Sequence, residues 1–367
     1  MKTRATKPLL KRLPRTRRRD VDGAPDALVD AEPLFPDRHL PLVVRPATPD
    51  VDLNAWAESH PERVRELLRG HGAVLFRGFG VTGVEDFQRF VELTSDGPAL
   101  DYRDRSTPRE TRGSKVYTST VYPSDQTIKL HNEGTYWLTW AMKLYFCCRV
   151  AAERGGETPI ADVARVCRRL SPELRDRFAE KGMVLVRNYN DGFGLSWQEV
   201  FQTDDRAEVE AYCRDNGIEL EWKEGDRLRT RQVRPAIRRH PVTGEDVWFN
   251  HAAFFHVSAL QPDLRQALLD DFGEEGLPYN TYYGDGSPID ASDIAEIHAA
   301  YRAETIEFPW ESGDVMVLDN MSVAHSRRPY EGEREVVVMM TEPYTGVETV
   351  SVEGAGAETV GPETAAT

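Results

Sequence analysis

The 367-residue chain predicts a mixed α+β fold, mainly β, in which a β-barrel or jelly-roll core carries helical insertions. Three observations lead there. Short β-rich runs recur along the chain, helices with clear start and stop signals lie between them, and residues suited to one site come from distant segments. Periodicity alone also accommodates another α+β arrangement.

In chain order, Ser59-His60-Pro61-Glu62 reads as a capping box with proline in the first turn. Val64, Leu67 and Leu68 then form one apolar face, and Gly70 closes the helix. Ala73-Val74-Leu75-Phe76 is a strand leading to Arg77-Gly78. Lys143 to Val150 is a second, and Met183 to Val186 a third. Between these two, Ser171-Pro172 opens a helix with Leu174 and Phe178 inward and Gly182 at its end. Val247-Trp248-Phe249 follows the turn at residues 240–244. Asp290 caps a helix in which Ile294, Ile297 and Tyr301 recur at helical spacing. Gly313-Asp314 turns into the strand Val315 to Leu318, and Val336 to Val338 is a late strand.

The chain shows neither an internal repeat nor a Ser/Gly linker, so a single domain is expected over residues 31–345. Residues 1–30 read as a disordered basic arm and 346–367 as a disordered acidic tail. The arm's longest apolar stretch is Pro8-Leu9-Leu10, well short of the roughly 7–15 residues of a secretory signal. No run approaches the roughly 20 apolar residues of a membrane span, and the mean hydropathy of -0.53 agrees. A cytoplasmic protein with no membrane partner is expected. Cys147, Cys148, Cys167 and Cys213 form no CxxC pair and read as reduced packing residues. The formal charge of -15 argues against nucleic acid as a partner of the folded body, since phosphate binding rests on clustered Lys and Arg. The basic arm is a solvated tail or a docking segment for an acidic partner. Nothing in the pattern bears on oligomeric state.

The chemistry-bearing residues are His131-Asn132-Glu133, His325 and Arg334. Residues i and i+2 of a strand share a face, so His131 and Glu133 can offer an imidazole and a carboxylate to one metal. Alone, three such residues mean little. His325 lies past a strand and a turn-like Asp319-Asn320-Met321, where it can present a second imidazole. Two histidines and a carboxylate hold a divalent iron by one face and leave three positions open. Arg334 has the rigid fork that binds a carboxylate through two charge-assisted bonds. On composition alone the reading as a surface arginine of the charged stretch 331–335 wins. His240, His251 and His256 compete as ligands, but none has a carboxylate two residues away. His251 is retained as a residue behind a ligand or beside the substrate.

The chain resembles the TauD/TfdA family of iron(II)/2-oxoglutarate-dependent dioxygenases, most closely the SyrP-like branch acting on amino acids or their derivatives. The matching segments are Gly72–Gly78, Ser119–Pro123, Leu130–Glu133, Gly155–Pro159, Arg187-Asn188-Tyr189, Trp248-Phe249-Asn250, and Leu318-Asp319-Asn320 through His325 to Arg334. They run in the expected order from about residue 40 to about 345. The resemblance implies a double-stranded β-helix, jelly-roll and cupin-like, with iron(II) on His131, Glu133 and His325. It implies that Arg334 and Thr158 hold the far carboxylate of 2-oxoglutarate. The family more often has Asp where Glu133 stands; the longer side chain still reaches a metal. Related halogenases have Ala or Gly there, so Glu133 argues against halogenation.

The implied reaction consumes O2 and 2-oxoglutarate and hydroxylates an unactivated C–H bond of an amino acid or amino-acid derivative in specialised metabolism, free or tethered to a carrier protein. Desaturation, cyclisation or epoxidation at the same centre, a scavenging dioxygenase for sulfonates or aryloxy acids, and a non-enzymatic binding protein are the alternatives. Ser119, Thr120, Tyr122, Gln126, Tyr136, Trp137, Asn188, Trp197, His251 and Arg328 are candidates for substrate contact.

Overall fold

Alternation along one long strand organises the core. Thr139–Val150 sends Tyr145 and Cys147 to one apolar cluster and Leu144, Phe146 and Cys148 to another. In the computed structural model the described residues are 28–100, 111–113, 116–118, 122–189 and 194–346. Thr139–Val150 pairs antiparallel with Val315–Asp319 on one side and Glu335–Thr345 on the other. These three belong to an eight-stranded sheet. Its order is Val29–Pro33, Leu42–Pro46, Ala73–Phe76, Val315–Asp319, Thr139–Val150, Glu335–Thr345, Val116–Thr118 and Thr111–Gly113.

One face of this sheet buries the helices Leu53–Ser59, Pro61–His71 and Val84–Thr94 through Trp56, Leu67, Leu68, Phe87 and Phe90. The other face meets a small antiparallel sheet of Ile128–His131, Val323–Arg327 and Ile160–Asp162. The arrangement is therefore mixed, with helices on one side of a large sheet and a second sheet on the other. A further four-stranded antiparallel sheet, ordered Glu219–Lys223, Arg227–Arg234, Met183–Tyr189 and Tyr279–Tyr283, packs on the same core through Met183, Leu185 and Tyr283.

Most expected elements form, with differences that have local causes. Ser59 does not cap the helix Pro61–His71, because it is the last residue of Leu53–Ser59 and its hydroxyl donates to the Ala55 carbonyl at 2.9 Å. His60 takes the N-cap position without a capping bond, its Nδ1 lying 3.0 Å from the Trp56 carbonyl instead. That helix runs past Gly70 to Gly72, whose positive φ of 69° suits a left-handed C-cap. Ser171 does cap Pro172–Lys181, its hydroxyl accepting from Leu174 N, and Gly182 ends the helix. Asp290 precedes Ala291–Glu304 without a capping bond from its side chain. The fold begins at least by Val29, inside the segment expected to be a disordered arm. Residues 1–27 and 347–367 lie outside the described residues. All four cysteines are free and buried; burial pushes the Cys147 and Cys148 thiols up to about 12, so they pack as thiols.

A buried ion pair joins two of the central strands at their ends. Arg77, just beyond Ala73–Phe76, donates to Asp314 from Nε at 3.1 Å and from Nη2 at 2.7 Å, and to the Pro309 carbonyl at 2.7 Å. Burial raises the Asp314 carboxyl above its ordinary value against the pull of Arg77. Replacing Arg77 by Met leaves that carboxylate buried and uncompensated, at a cost of about 3 kcal/mol. A urea-denaturation midpoint equal to wild type would show that the bridge is not a structural anchor.

Candidate active site

His131 ends the strand Ile128–His131, and antiparallel pairing sets it directly opposite His325 in Val323–Arg327. Cross-strand partners in register share a face, and the two rings lie with centroids 4.4 Å apart. A bulge follows between His325 and Arg327 and ends the regular pairing beside the site. Glu133 is not on the strand, as i/i+2 reasoning expects, but in the turn after it.

Asn320 holds that turn. Its Oδ1 accepts from Glu133 N at 2.8 Å, and its Nδ2 donates to the carbonyls of Glu133 at 2.9 Å and Ala141 at 2.8 Å. Its backbone N–H donates to Met142 O at 2.8 Å, and its carbonyl accepts from Asn132 Nδ2 at 2.6 Å. One fully buried amide thus ties the turn to the long central strand. The outcome is that ligand atoms of His131, Glu133 and His325 all lie within 4.8 Å of one another. Among the described residues no other group of three or more His, Cys, Asp or Glu side chains meets that criterion. His131 Nδ1 lies 2.8 Å from the Lys129 carbonyl, which can only accept, so Nδ1 carries the proton and Nε2 is left to coordinate. Two imidazoles and a carboxylate at this spacing fit a divalent iron.

Arg334 stands at the rim of the same pocket, just before Glu335–Thr345. Its Nε donates to Gly156 O at 2.9 Å, and its Nη2 to Thr158 Oγ1 at 3.4 Å. Thr158 Oγ1 also accepts from Trp310 Nε1 at 2.9 Å. Gly156 has φ +73°, and a Cβ there would come within 2.9 Å of Arg334 Cδ, so the guanidinium depends on that glycine. Burial is the main cause that brings Arg334 down to about 10, which leaves it charged at neutral pH in a dry setting. Ile128, Phe146, Val336 and Val338 supply the apolar walls.

His251 is brought against the ligands without joining them. Its ring lies 5.9 Å from that of His131 and stacks on Phe255 at 5.1 Å, and its Nδ1 bonds to Thr135 Oγ1. Burial, then the proximity of His131, keeps it well below its ordinary value and therefore neutral. His240 and His256 lie elsewhere: His240 Nε2 is 3.0 Å from Asp319 Oδ2, and His256 Nδ1 is 2.7 Å from Ser258 Oγ.

The substrate candidates separate into groups. Tyr122 and Gln126 border the site through their backbones, whose carbonyls accept from the buried Arg327 at 2.9 and 2.8 Å. Tyr136 is buried beside His251, ring centroids 5.4 Å apart. Asn188 is not at the pocket; its Nδ2 donates to the Glu275 and Leu277 carbonyls and ties the four-stranded sheet to the preceding loop. Trp197 fills a separate apolar cluster with Tyr189 and Val200, where packing claims its ring. Arg328 turns to Glu307, with Nη2 2.6 Å from Oε2. Ser119 and Thr120 lie outside the described residues. Asn320 and Arg327, which shape the site most, were legible only as a turn residue and as a neighbour of His325.

Asn320→Ala removes both bonds that fix the Glu133 turn. Affinity for a spectroscopically visible divalent ion such as cobalt(II) should fall roughly ten- to a hundredfold, as for other residues that orient metal ligands. Unchanged cobalt affinity in a folded Asn320→Ala chain would leave Glu133 positioned by something else.

The comparisons with known proteins agree with this geometry. The family model for "Taurine catabolism dioxygenase TauD, TfdA family" matches residues 37–340. Dapdiamide synthesis protein DdaC of Enterobacter agglomerans is 41% identical over 305 residues, which cover 83% of this chain and 92% of that protein. A clavaminate synthase-like protein of Arabidopsis thaliana is 29% identical over 326 residues, covering 83% and 94%. The crystal structure of PvcB from Pseudomonas aeruginosa shares the fold with a TM-score of 0.53 at 13% identity, covering 88% of this chain and 92% of that one. With the family matched over most of its length, this chain belongs to the TauD/TfdA dioxygenases and is an iron(II)/2-oxoglutarate-dependent enzyme acting on a small molecule with O2.

Proposed function

We propose that this chain hydroxylates an unactivated C–H bond of an amino acid or amino-acid derivative in a biosynthetic pathway. In this reading His131, Glu133 and His325 hold iron(II), Arg334 and Thr158 hold the far carboxylate of 2-oxoglutarate, and the two facing sheets form a double-stranded β-helix. The observation that carries it is the in-register pairing of His131 with His325, with Glu133 within 4.8 Å of both.

Bound iron(II) with 2-oxoglutarate and O2 supplies the oxidative decarboxylation, to succinate and CO2, that makes an inert C–H bond reactive. The chain's residues orient and enclose. Arg334 meets a carboxylate with a forked, fully charged donor whose desolvation is relieved by the incoming anion. Thr158, already fixed by Trp310, offers a hydroxyl beside it. His131 is held in one tautomer by Lys129 O, and neutral His251 backs its ring without adding charge. Phe146, Val336 and Val338 keep water from the pocket. Arg327, which lines the pocket, fixes the segment bearing Tyr122 and Gln126 through their backbone carbonyls.

The name of the relative that is 41% identical, a synthesis protein, supports a biosynthetic role over a scavenging one. Such a substrate is free or tethered to an acidic carrier protein, which the basic residues of the N-terminal arm suit. The domain runs from Val29, where the strand Val29–Pro33 starts, to about residue 345. No described helix is long and apolar enough to cross a membrane; a cytoplasmic location is part of the proposal.

The direct test is substrate-dependent succinate formation under air, screened over amino acids with product mass as readout. His131→Ala should reduce succinate to the iron-free background. Arg334→Gln should raise the KM for 2-oxoglutarate about ten- to a hundredfold, the worth of a charge-assisted pair. Turnover that survives chelation, or a response to sulfonates alone, would end the reading.

A further inference from the structure

A second cavity, of about 330 Å³, adjoins the metal pocket and shares Ile128 and Ser326 with it. Lys129, His298, Arg302 and Arg328 line it, and no aspartate or glutamate does. That is a local reversal in a chain with 61 acidic residues and a formal charge of -15. Arg328 finds its counter-ion in Glu307, outside the cavity lining. Lys129 donates to the Ala259 carbonyl, a neutral partner. Among the described residues, Lys129, His298 and Arg302 make no ion pair. Arg302 sits in the last turn of Ala291–Glu304, where a cation suits the helix dipole. With Glu307 paired to Arg328, that leaves Lys129 as the cation with no charged partner among the described residues. Burial first, then the charges of Lys129 and Arg302, hold His298 down at about 4, so its ring is neutral and the positive charge of the lining is carried by Lys129, Arg302 and Arg328. Half-buried Phe254 and buried Tyr301 supply an apolar wall.

We propose that this cavity binds a small organic anion, its carboxylate or phosphate oxygens against Lys129 and Arg302 and its carbon frame against Phe254 and Tyr301. Phe254 also packs on His131, ring centroids 5.0 Å apart, so whatever fills the cavity lies one ring away from the metal site. The assignment stands on the cavity's own residues and holds whether or not the neighbouring triad takes iron. The anionic group belongs either to the far end of the substrate or to a separate ligand; the recognition chemistry is the same.

Benzoate and inorganic phosphate are the probes, titrated calorimetrically into the full-length protein at low salt. Saturable binding is expected. Arg302→Gln should weaken it at least about fivefold, while Arg302→Lys retains most of it. Arg334→Gln serves as the control for capture in the metal pocket, and should leave the affinity within about twofold. A substrate whose KM rises in Arg302→Gln at constant kcat places the anion on the substrate; normal turnover with lost probe binding makes it a separate ligand. Absence of saturable binding by either probe, or binding that ignores Arg302→Gln and vanishes in Arg334→Gln, overturns the proposal.

Discussion

The pairing of two short strands governs this molecule. His131 and His325 face the same way because Ile128–His131 and Val323–Arg327 meet in one register. Strand side chains alternate, so a slip of one residue would turn one histidine out of the pocket and bring a neighbour in. The register is held from the other side as well, where Val323–Arg327 pairs with Ile160–Asp162. Three strands of only three to five residues therefore carry the placement of both imidazoles.

The large sheet supplies what those strands lack. Asn320 reaches from the end of Val315–Asp319 to Ala141 and Met142 on the long central strand, and to both faces of the Glu133 peptide. The turn that carries Glu133 is thus tied to the central strand by a fully buried amide. Arg334 likewise enters the pocket from the start of Glu335–Thr345, the other neighbour of the central strand. The site is assembled where two sheets face each other, with ligands from the small one and supports from the large one. Rigid backing of this kind suits chemistry that depends on orientation and on exclusion of water.

Much of this was legible in the residues, and the parts that were not have physical reasons. Runs such as Val315 to Leu318 are apolar enough to announce buried strands, and Ser171-Pro172 announces a helix start by capping chemistry that is local. The Ser59 motif misled because a helix ending there competes for the same hydroxyl, and local pattern does not reveal which helix owns it. His131 and His325 were recognisable as candidate ligands through their chemistry and the resemblance, and the structure brings them together with Glu133. The role of Asn320 was not, because its five hydrogen bonds reach partners some 180 residues away in sequence. Asn188 and Trp197 looked like site residues by type, yet backbone carbonyls and an apolar cluster claim them in the four-stranded sheet region. The cation-lined cavity was not legible because Lys129, Arg302 and Arg328 come from three separate segments of the chain.

The most direct test is anomalous-scattering crystallography on the protein loaded anaerobically with iron(II). The expected result is one iron peak bonded to His131 Nε2, a Glu133 oxygen and His325. A peak seated elsewhere, or an ion that leaves either histidine uncoordinated, would contradict the account.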